Sequence, residues 1–294
     1  MAAVEQARAE GDQAPGRIVS AFGVGMPRLL YGTAWKKERT AELVERALRA
    51  GFRGIDTACQ PKHYYEPGVG AGIAAAFGAG LDRADIYLQT KFTPFKGQDP
   101  DNLPYDPDVS LGEQVRQSFA ASRANRGTDY LDGLILHSPY PEDEDTLEVW
   151  RAMEELVDAG GVGQLGISNC YEPHRLETIH RRARIKPALI QNRFYAKTRY
   201  DREIRAFCAE NGMLYQSFWT LTANGDVLAA PALVEIAERR ERTPAQIFFR
   251  FLTQHDMVCL TGTASPEHMA QDLAIFDFRL DPTECAVVGA LLGE

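Results

Sequence analysis

Polar and ionisable residues recur along this chain at one kind of place, the end of a short apolar run. Asp56 closes "GFRGIDTA", Lys91 closes "DIYLQTKF" and His137 closes "LDGLILHSP". Ser168 and Asn169 close "VGQLGISN", and Gln191 and Asn192 close "PALIQNRF". Taken alone, a strand-end Asp or Ser is often only a helix cap. Five successive run ends of this kind point instead to one shared pocket, because unpaired polar groups at the ends of buried strands are costly. The chemistry that joins them is reduction of a carbonyl: hydride attack leaves an alkoxide that must gain a proton. A phenol can supply it, although an unperturbed tyrosine pKa of about 10 is high for neutral pH. A buried lysine favours phenolate, an aspartate keeps that lysine charged, and a histidine donates to the oxygen or relays the proton. The phenols at hand are Tyr64 and Tyr65, in the stretch after Asp56.

Such ends need regular elements to hold them. Eight β-rich runs read as strands buried on both faces: "LLYGT", "GFRGIDTA", "DIYLQTKF", "LDGLILHSP", "VGQLGISN", "PALIQNRF", "MLYQSFW" and "MVCLTGT". Between them lie amphipathic segments with helical spacing, among them 40–50, 111–126, 146–159 and 201–211. Asn211-Gly212 and Ala159-Gly160-Gly161 supply helix stops. This alternation predicts a parallel α/β architecture. A doubly wound sheet would carry a GxGxxG turn after its first strand, and none follows "LLYGT". Gly68, Gly70 and Gly72 come after the second run and open a helix, where they allow close packing. The expectation is therefore a (β/α)8 TIM barrel, with a short N-terminal β-hairpin within 18–32. The long linkers 93–110, with four prolines, and 220–230 fall on the C-terminal face where barrels build their sites.

The chain of 294 residues reads as a flexible leader over 1–16 and a single barrel domain over 17–294. The leader lacks the apolar core of a signal peptide, and no run approaches the roughly 20 apolar residues that span a bilayer. A net charge of −9 with scattered basic residues disfavours nucleic acid. The run from Arg239 to Arg242 reads as a solvated helix end. Five cysteines, odd in number and without a CxxC pair, suggest reduced thiols and neither a disulfide framework nor a zinc or other metal site. The expected protein is cytoplasmic, a monomer or weak homo-oligomer, and its partner is a small-molecule carbonyl or alcohol.

The stretches "GTAWK" (32–36), "GFRGIDTA" (51–58), "EPGVGAGI" (66–73), "LQTKF" (88–92), "DYLDGLILHSP" (129–139), "GQLGISN" (163–169) and "SPEHMAQDLAIFDF" (265–278) occur in this order. Together they resemble the aldo-keto reductase family, over nearly the whole chain after the leader. The resemblance implies a nicotinamide-dependent barrel with an Asp–Tyr–Lys–His tetrad, in which Asp56, Lys91 and His137 fill three places. It implies that Ser168, Asn169 and Gln191 hold the nicotinamide carboxamide and that Phe218 stacks on its ring. Thr33, Asp56, Trp219 and Leu221 join that cofactor site. Trp35, after an extra Ala34, matches an aromatic of the substrate pocket, and Tyr65, Phe95 and Tyr105 are further expected substrate contacts.

Three departures from the family pattern stand out. The tetrad tyrosine usually follows its aspartate by about five residues, whereas Tyr64 stands eight after Asp56. An ungapped count back from Glu66 puts His63 in the tyrosine position. Tyr64 is preferred because Pro61 can rearrange the loop and a phenol suits the chemistry; Tyr65 competes. Secondly, the Lys and Arg that commonly meet the adenosine 2′-phosphate correspond to Gly262 and His268, and an adenine-contacting Asn corresponds to Asp272. Backbone N–H groups around Gly262 and Thr263 still suit a phosphate. NADP(H) is favoured, with NAD(H) the alternative. Thirdly, the chain ends on "LDPTECAVVGALLGE", which suggests an open pocket with 93–110 as its lid. Two other functions share this pattern: a redox-neutral epimerase or lyase using bound nicotinamide, and a cofactor-binding regulatory subunit.

Overall fold

The computed structural model of the chain describes residues 16–294. The leader expected over 1–16 lies, Gly16 apart, outside the described residues. An antiparallel hairpin, β1 (Arg17–Val19) and β2 (Gly25–Pro27), leads into eight parallel strands: β3 (Leu29–Gly32), β4 (Gly54–Asp56), β5 (Tyr87–Phe92), β6 (Leu131–Leu136), β7 (Val162–Ser168), β8 (Leu189–Arg193), β9 (Leu214–Phe218) and β10 (Met257–Thr261). They pair in chain order, and β10 closes the barrel against β3. This is the (β/α)8 barrel and hairpin that the alternating runs led us to expect.

The helices are α1 (Thr40–Ala50), α2 (Glu66–Gly78), α3 (Leu111–Arg126), α4 (Asp143–Asp158), α5 (Pro173–Arg182), α6 (Arg202–Glu210), α7 (Gly225–Leu228), α8 (Pro231–Arg239), α9 (Pro244–Gln254), α10 (Pro266–Leu273) and α11 (Pro282–Leu291). α4 begins three residues before its apolar period does. Asp143, Glu144 and Asp145 fill its first turn, where carboxylates favour the positive end of the helix. None of the described helices is long and apolar enough to cross a membrane.

One core fills the space between barrel and helices, and a smaller one forms the barrel floor. Arg239 and Arg240 are more than a solvated end: both donate to the buried Glu284 of α11, at 2.9, 2.8 and 2.7 Å. They therefore clamp the last helix onto α8.

α2 matters most for the site, because it starts where the loop after Asp56 ends. Its first residue, Glu66, is buried and paired with Arg126 of α3. The same carboxylate accepts Thr90 of β5 at 2.6 Å and Ser122 at 2.9 Å. The glycines of α2 act in packing, as expected. A Cβ on Gly70 would strike the Asn125 carbonyl and sit 2.9 Å from Arg126 Cα, and one on Gly72 would sit 2.6 Å from the Ala41 carbonyl. Gly70→Ala therefore pushes α2 off α3. It should destabilise the protein by about 1–3 kcal/mol, read as a lower urea midpoint, and an unchanged midpoint would contradict this packing.

Candidate active site

Alternate residues of each strand point to the barrel axis. On β5 these are Tyr87, Gln89 and Lys91; on β8, Leu189, Gln191 and Arg193; on β9, Leu214, Gln216 and Phe218. Tyr87, Leu189 and Leu214 join Met26, Leu30, Ile135 and Val258 in the apolar floor. The three glutamines form a layer above it. Gln89 and Gln216 exchange hydrogen bonds at 2.8 and 3.0 Å, and Gln191 donates to Gln216 at 2.9 Å. Tyr87 donates to Gln89 at 2.8 Å and accepts from Gln164 at 3.0 Å.

This amide layer surrounds Asp56. Its Oδ1 accepts Gln89 at 2.7 Å and Gln191 at 2.9 Å, and Lys91 Nζ donates to both carboxylate oxygens at 2.7 Å. The third ammonium proton goes to the Thr57 carbonyl at 2.8 Å. Burial pulls the Lys91 pKa down, and the Asp56 carboxylate pulls the other way. Thr33, expected at the cofactor, is instead fully buried and donates its hydroxyl to the Asp56 carbonyl at 3.0 Å. Its backbone N–H donates to the same carbonyl at 3.0 Å.

Tyr64 lies over this pair. Lys91 Nζ is 5.3 Å from its ring centroid, and the His137 ring is 6.0 Å away. Of the three residues left open by the loop, the structure brings Tyr64 to the Asp56–Lys91 pair. Tyr65 points away and packs beside Gly68 at the start of α2, and His63 stacks on Trp35 at 3.8 Å between centroids. Turn bonds from the His63 and Tyr64 amides to the Gln60 carbonyl, at 3.2 and 3.0 Å, fold the longer loop back on itself. Burial, reinforced by the Asp56 charge, pushes the Tyr64 phenol above the usual tyrosine range. The lowering expected from Lys91 is therefore not what the resting site produces, because burial and then the Asp56 carboxylate both favour the neutral phenol. Burial, with the charges of Lys91 and His63, pushes His137 down to about 3, so it is neutral at physiological pH. Thr93 engages its Nδ1 at 2.7 Å.

Asp56, Tyr64 and His137 line one end of a cavity of about 890 Å³ at the C-terminal face, and Lys91 lies outside its wall. Asp56, Tyr64, His137, Ser168, Asn169, Gln191, Phe218, Trp219, Leu221, Gly262, Thr263, His268, Asp272 and Trp35 all contribute to its wall. Ser168 donates to the Gln191 carbonyl at 2.7 Å, and Asn169 to the His137 carbonyl at 2.9 Å, which ties β6, β7 and β8 together. Tyr65 and Phe95 are absent from that wall. Segment 93–110 is no free lid: Tyr105 is buried, bonds the Thr93 carbonyl at 2.9 Å, and Gln98 bonds the Cys59 carbonyl at 2.9 Å.

Two cations that sequence reasoning passed over also line the cavity, Lys36 and Arg193. Lys36 Nζ donates to the Gly262 carbonyl, so an ammonium from the β3 loop stands 3.5 Å from where a Cβ on Gly262 would lie. Its place in "GTAWK" gave no signal, since the contact spans 226 residues. Arg193 was legible as the inward position two after Gln191. The cavity also holds two buried nitrogens without partners, His63 Nδ1 and Arg193 Nε. Unmet donors, a bare Gly262 beside an ammonium, and Phe218 on the wall together suit a large aromatic, phosphate-bearing ligand.

The Aldo/keto reductase family matches the chain over residues 21–225. An aldo-keto reductase of Mycolicibacterium smegmatis is 30% identical over 277 residues, covering 94% of this chain and 93% of that protein. Glyoxal reductase of Bacillus subtilis is 28% identical, covering 92% and 88% respectively. Among solved structures, an aldo/keto reductase from Brucella melitensis superposes with a TM-score of 0.80 at 28% identity, covering 94% and 98%.

Asp272 gives the site a pH dependence. Burial pushes its carboxyl up to about 6, against hydrogen bonding from Thr261 at 2.7 Å. The folded value lies above the unfolded one, so the native state holds the extra proton between them. Stability is complete below the unfolded pKa and falls as pH rises through about 6. Asp272→Asn keeps the bond to Thr261 without the charge. It should raise the urea midpoint at pH 8 by an amount worth about 1–3 kcal/mol and leave it near wild type at pH 4. An equal effect at both values would refute the ionisation.

Proposed function

The chain belongs to the aldo/keto reductase family, and from that premise we propose that it reduces an aldehyde or ketone with hydride from NADPH, Tyr64 supplying the proton. As a member it is a nicotinamide-dependent oxidoreductase acting on carbonyl groups. The observation that carries the assignment of Tyr64 is its position over the Lys91–Asp56 pair and beside His137, on the cavity wall.

Ser168, Asn169, Gln191 and Phe218 would hold the nicotinamide end, and Trp219, Leu221, Gly262, Thr263, His268 and Asp272 the remainder. The cofactor supplies or accepts the hydride. The chain's own residues handle the proton and the charge. A phenol held above its usual pKa is protonated at rest and yields its proton as negative charge grows on the carbonyl oxygen. Neutral His137 orients that oxygen by hydrogen bonding, with Thr93 fixing its ring. Lys91 stabilises the phenolate left behind, and Asp56 holds Lys91 in place. The preference for NADP(H) over NAD(H) is supported by Lys36, which restores a cation beside Gly262. Five unpaired cysteines suit a reducing compartment such as the cytoplasm.

Purified protein titrated with NADPH and NADH by fluorescence, then mixed with a panel of carbonyls, tests this directly. Binding without oxidation of the cofactor on any carbonyl would favour the redox-neutral or regulatory alternative, and absence of binding would sink the reading. Tyr64→Phe should lower kcat by about 10²–10⁴-fold with NADPH affinity within about twofold of wild type. Equal loss in Tyr65→Phe alone would move the assignment. For the 2′-phosphate, Lys36→Met should weaken NADPH binding about tenfold, the scale of one charge-assisted contact. Asp272→Asn should strengthen NADPH relative to NADH, and an unchanged ratio in both variants would separate this end of the cavity from the 2′-phosphate.

A further inference from the structure

Two half-exposed tryptophans stand at the cavity mouth, Trp35 at 56% and Trp219 at 47% exposure. Both have left-handed backbones, with φ of 64° and 54°. That conformation is costly for a bulky side chain and is concentrated at ligand clamps. One face of each ring is covered: His63 lies on Trp35, and the Arg193 guanidinium lies 4.2 Å from the Trp219 centroid. Tyr195 flanks the same guanidinium at 5.4 Å.

Arg193 differs from the other cations of the site in having nothing to bind. Lys91 has all three N–H groups on Asp56 and Thr57, and Lys36 gives one of its three to the Gly262 carbonyl. The carboxylates nearby bond other groups, Asp56 to Lys91, Asp272 to Thr261 and Asp201, through Oδ2 alone, to Asn192 and Tyr215, its Oδ1 being without a partner. Among the described residues no carboxylate pairs with Arg193, and its Nε is buried without a partner. Stacking on Trp219 fixes the guanidinium plane while using none of its donors. What remains is a fork of N–H groups whose geometry matches the paired oxygens of a phosphate or carboxylate.

We propose that Arg193 is an anion receptor at the mouth of the cavity, taking a phosphate or carboxylate group of a bound ligand. The proposal rests on the cavity being the cofactor and substrate site. Arg193 stands two residues beyond Gln191 on β8, a rise of roughly 7 Å, so it acts at the rim and not on the reacting atoms. Two ligands of this cavity can present such an anion: the cofactor, through its diphosphate, and a carbonyl substrate that carries an acid group.

The experiment titrates the full chain, free of cofactor, with inorganic pyrophosphate and follows tryptophan fluorescence and heat. Docking on Arg193 perturbs the stacked Trp219 indole. Wild type should bind saturably, Arg193→Met about tenfold more weakly or worse, and Arg193→Lys in between, since it keeps the charge without the fork. Dissociation constants for NADPH and NADH, and KM for benzaldehyde against 4-carboxybenzaldehyde, then identify the source. If the cofactor supplies the anion, Arg193→Met raises both cofactor constants about tenfold and leaves the KM ratio unchanged. If the substrate does, the KM for the carboxylated aldehyde alone rises. Either outcome supports the receptor. If pyrophosphate affinity, cofactor affinity and the KM ratio in Arg193→Met all stay within about twofold of wild type, Arg193 merely packs on Trp219 and the proposal fails. Should Arg193→Met not fold, the same comparison with Arg193→Lys decides. Failure of wild type to bind NADPH would instead overturn the reductase reading, leaving the pyrophosphate titration to judge Arg193.

Discussion

A buried ion pair, Lys91 on Asp56, is the constraint around which the interior of this barrel is arranged. Both side chains are almost wholly withdrawn from solvent, and each lost hydration shell costs several kcal/mol unless the protein replaces it. The replacement is made of amides. Gln89 and Gln191 donate to Asp56, Gln216 links them, and Tyr87 and Gln164 complete the layer. Neutral amides solvate a carboxylate without competing with Lys91 for its charge. The pair therefore survives at the top of a barrel whose floor is apolar.

That arrangement decides the protonation of what lies above it. Lys91 has given all three N–H groups to Asp56 and Thr57, so it reaches Tyr64 through the ring face and its field, not through a hydrogen bond. At the phenol burial governs, and the Asp56 carboxylate adds to it. The phenol keeps its proton and His137 stays neutral. Under the proposed mechanism negative charge on a phenolate would change the balance, because the Lys91 ammonium lies 5.3 Å from its ring centroid. In the proposed reaction the pair would thus be quiet in the resting site and stabilising during proton transfer.

Much of this was legible in the sequence. The eight apolar runs and the helical segments 40–50 and 111–126 emerged because two hydrophobic periods are hard to confuse over that length. The polar strand ends followed, since Asp56, Lys91, His137, Ser168 and Gln191 each close a run. Loop residues were less readable. Tyr105 looked like a substrate contact in a polar, proline-rich stretch, yet its ring reaches back into the core and its hydroxyl finds the Thr93 carbonyl. Tyr64 could not be separated from Tyr65 by spacing, because turn bonds around Gln60 decide which ring faces Lys91. Lys36 escaped for a different reason: its partner, Gly262, lies at the other end of the chain. Even the glutamine layer was present as period-two positions on β5, β8 and β9, but a polar residue inside a barrel has no meaning until its partners are known.

The structure divides its effort between two kinds of fixation. Deep in the barrel, position is over-determined by bonds, with the Asp56 carboxylate receiving four of them. At the mouth, position is set by strained backbone and stacking. Trp35, Asn169 and Trp219 all adopt left-handed conformations just past the ends of β3, β7 and β9. Such residues persist only where the surroundings hold them, and here the closed barrel does so: Asn169 is bonded to the His137 carbonyl, and Trp35 to the His63 carbonyl. In the proposed reaction the interior layer fixes which proton can move. The strained rim fixes which charged and aromatic groups of the chain face the cavity mouth.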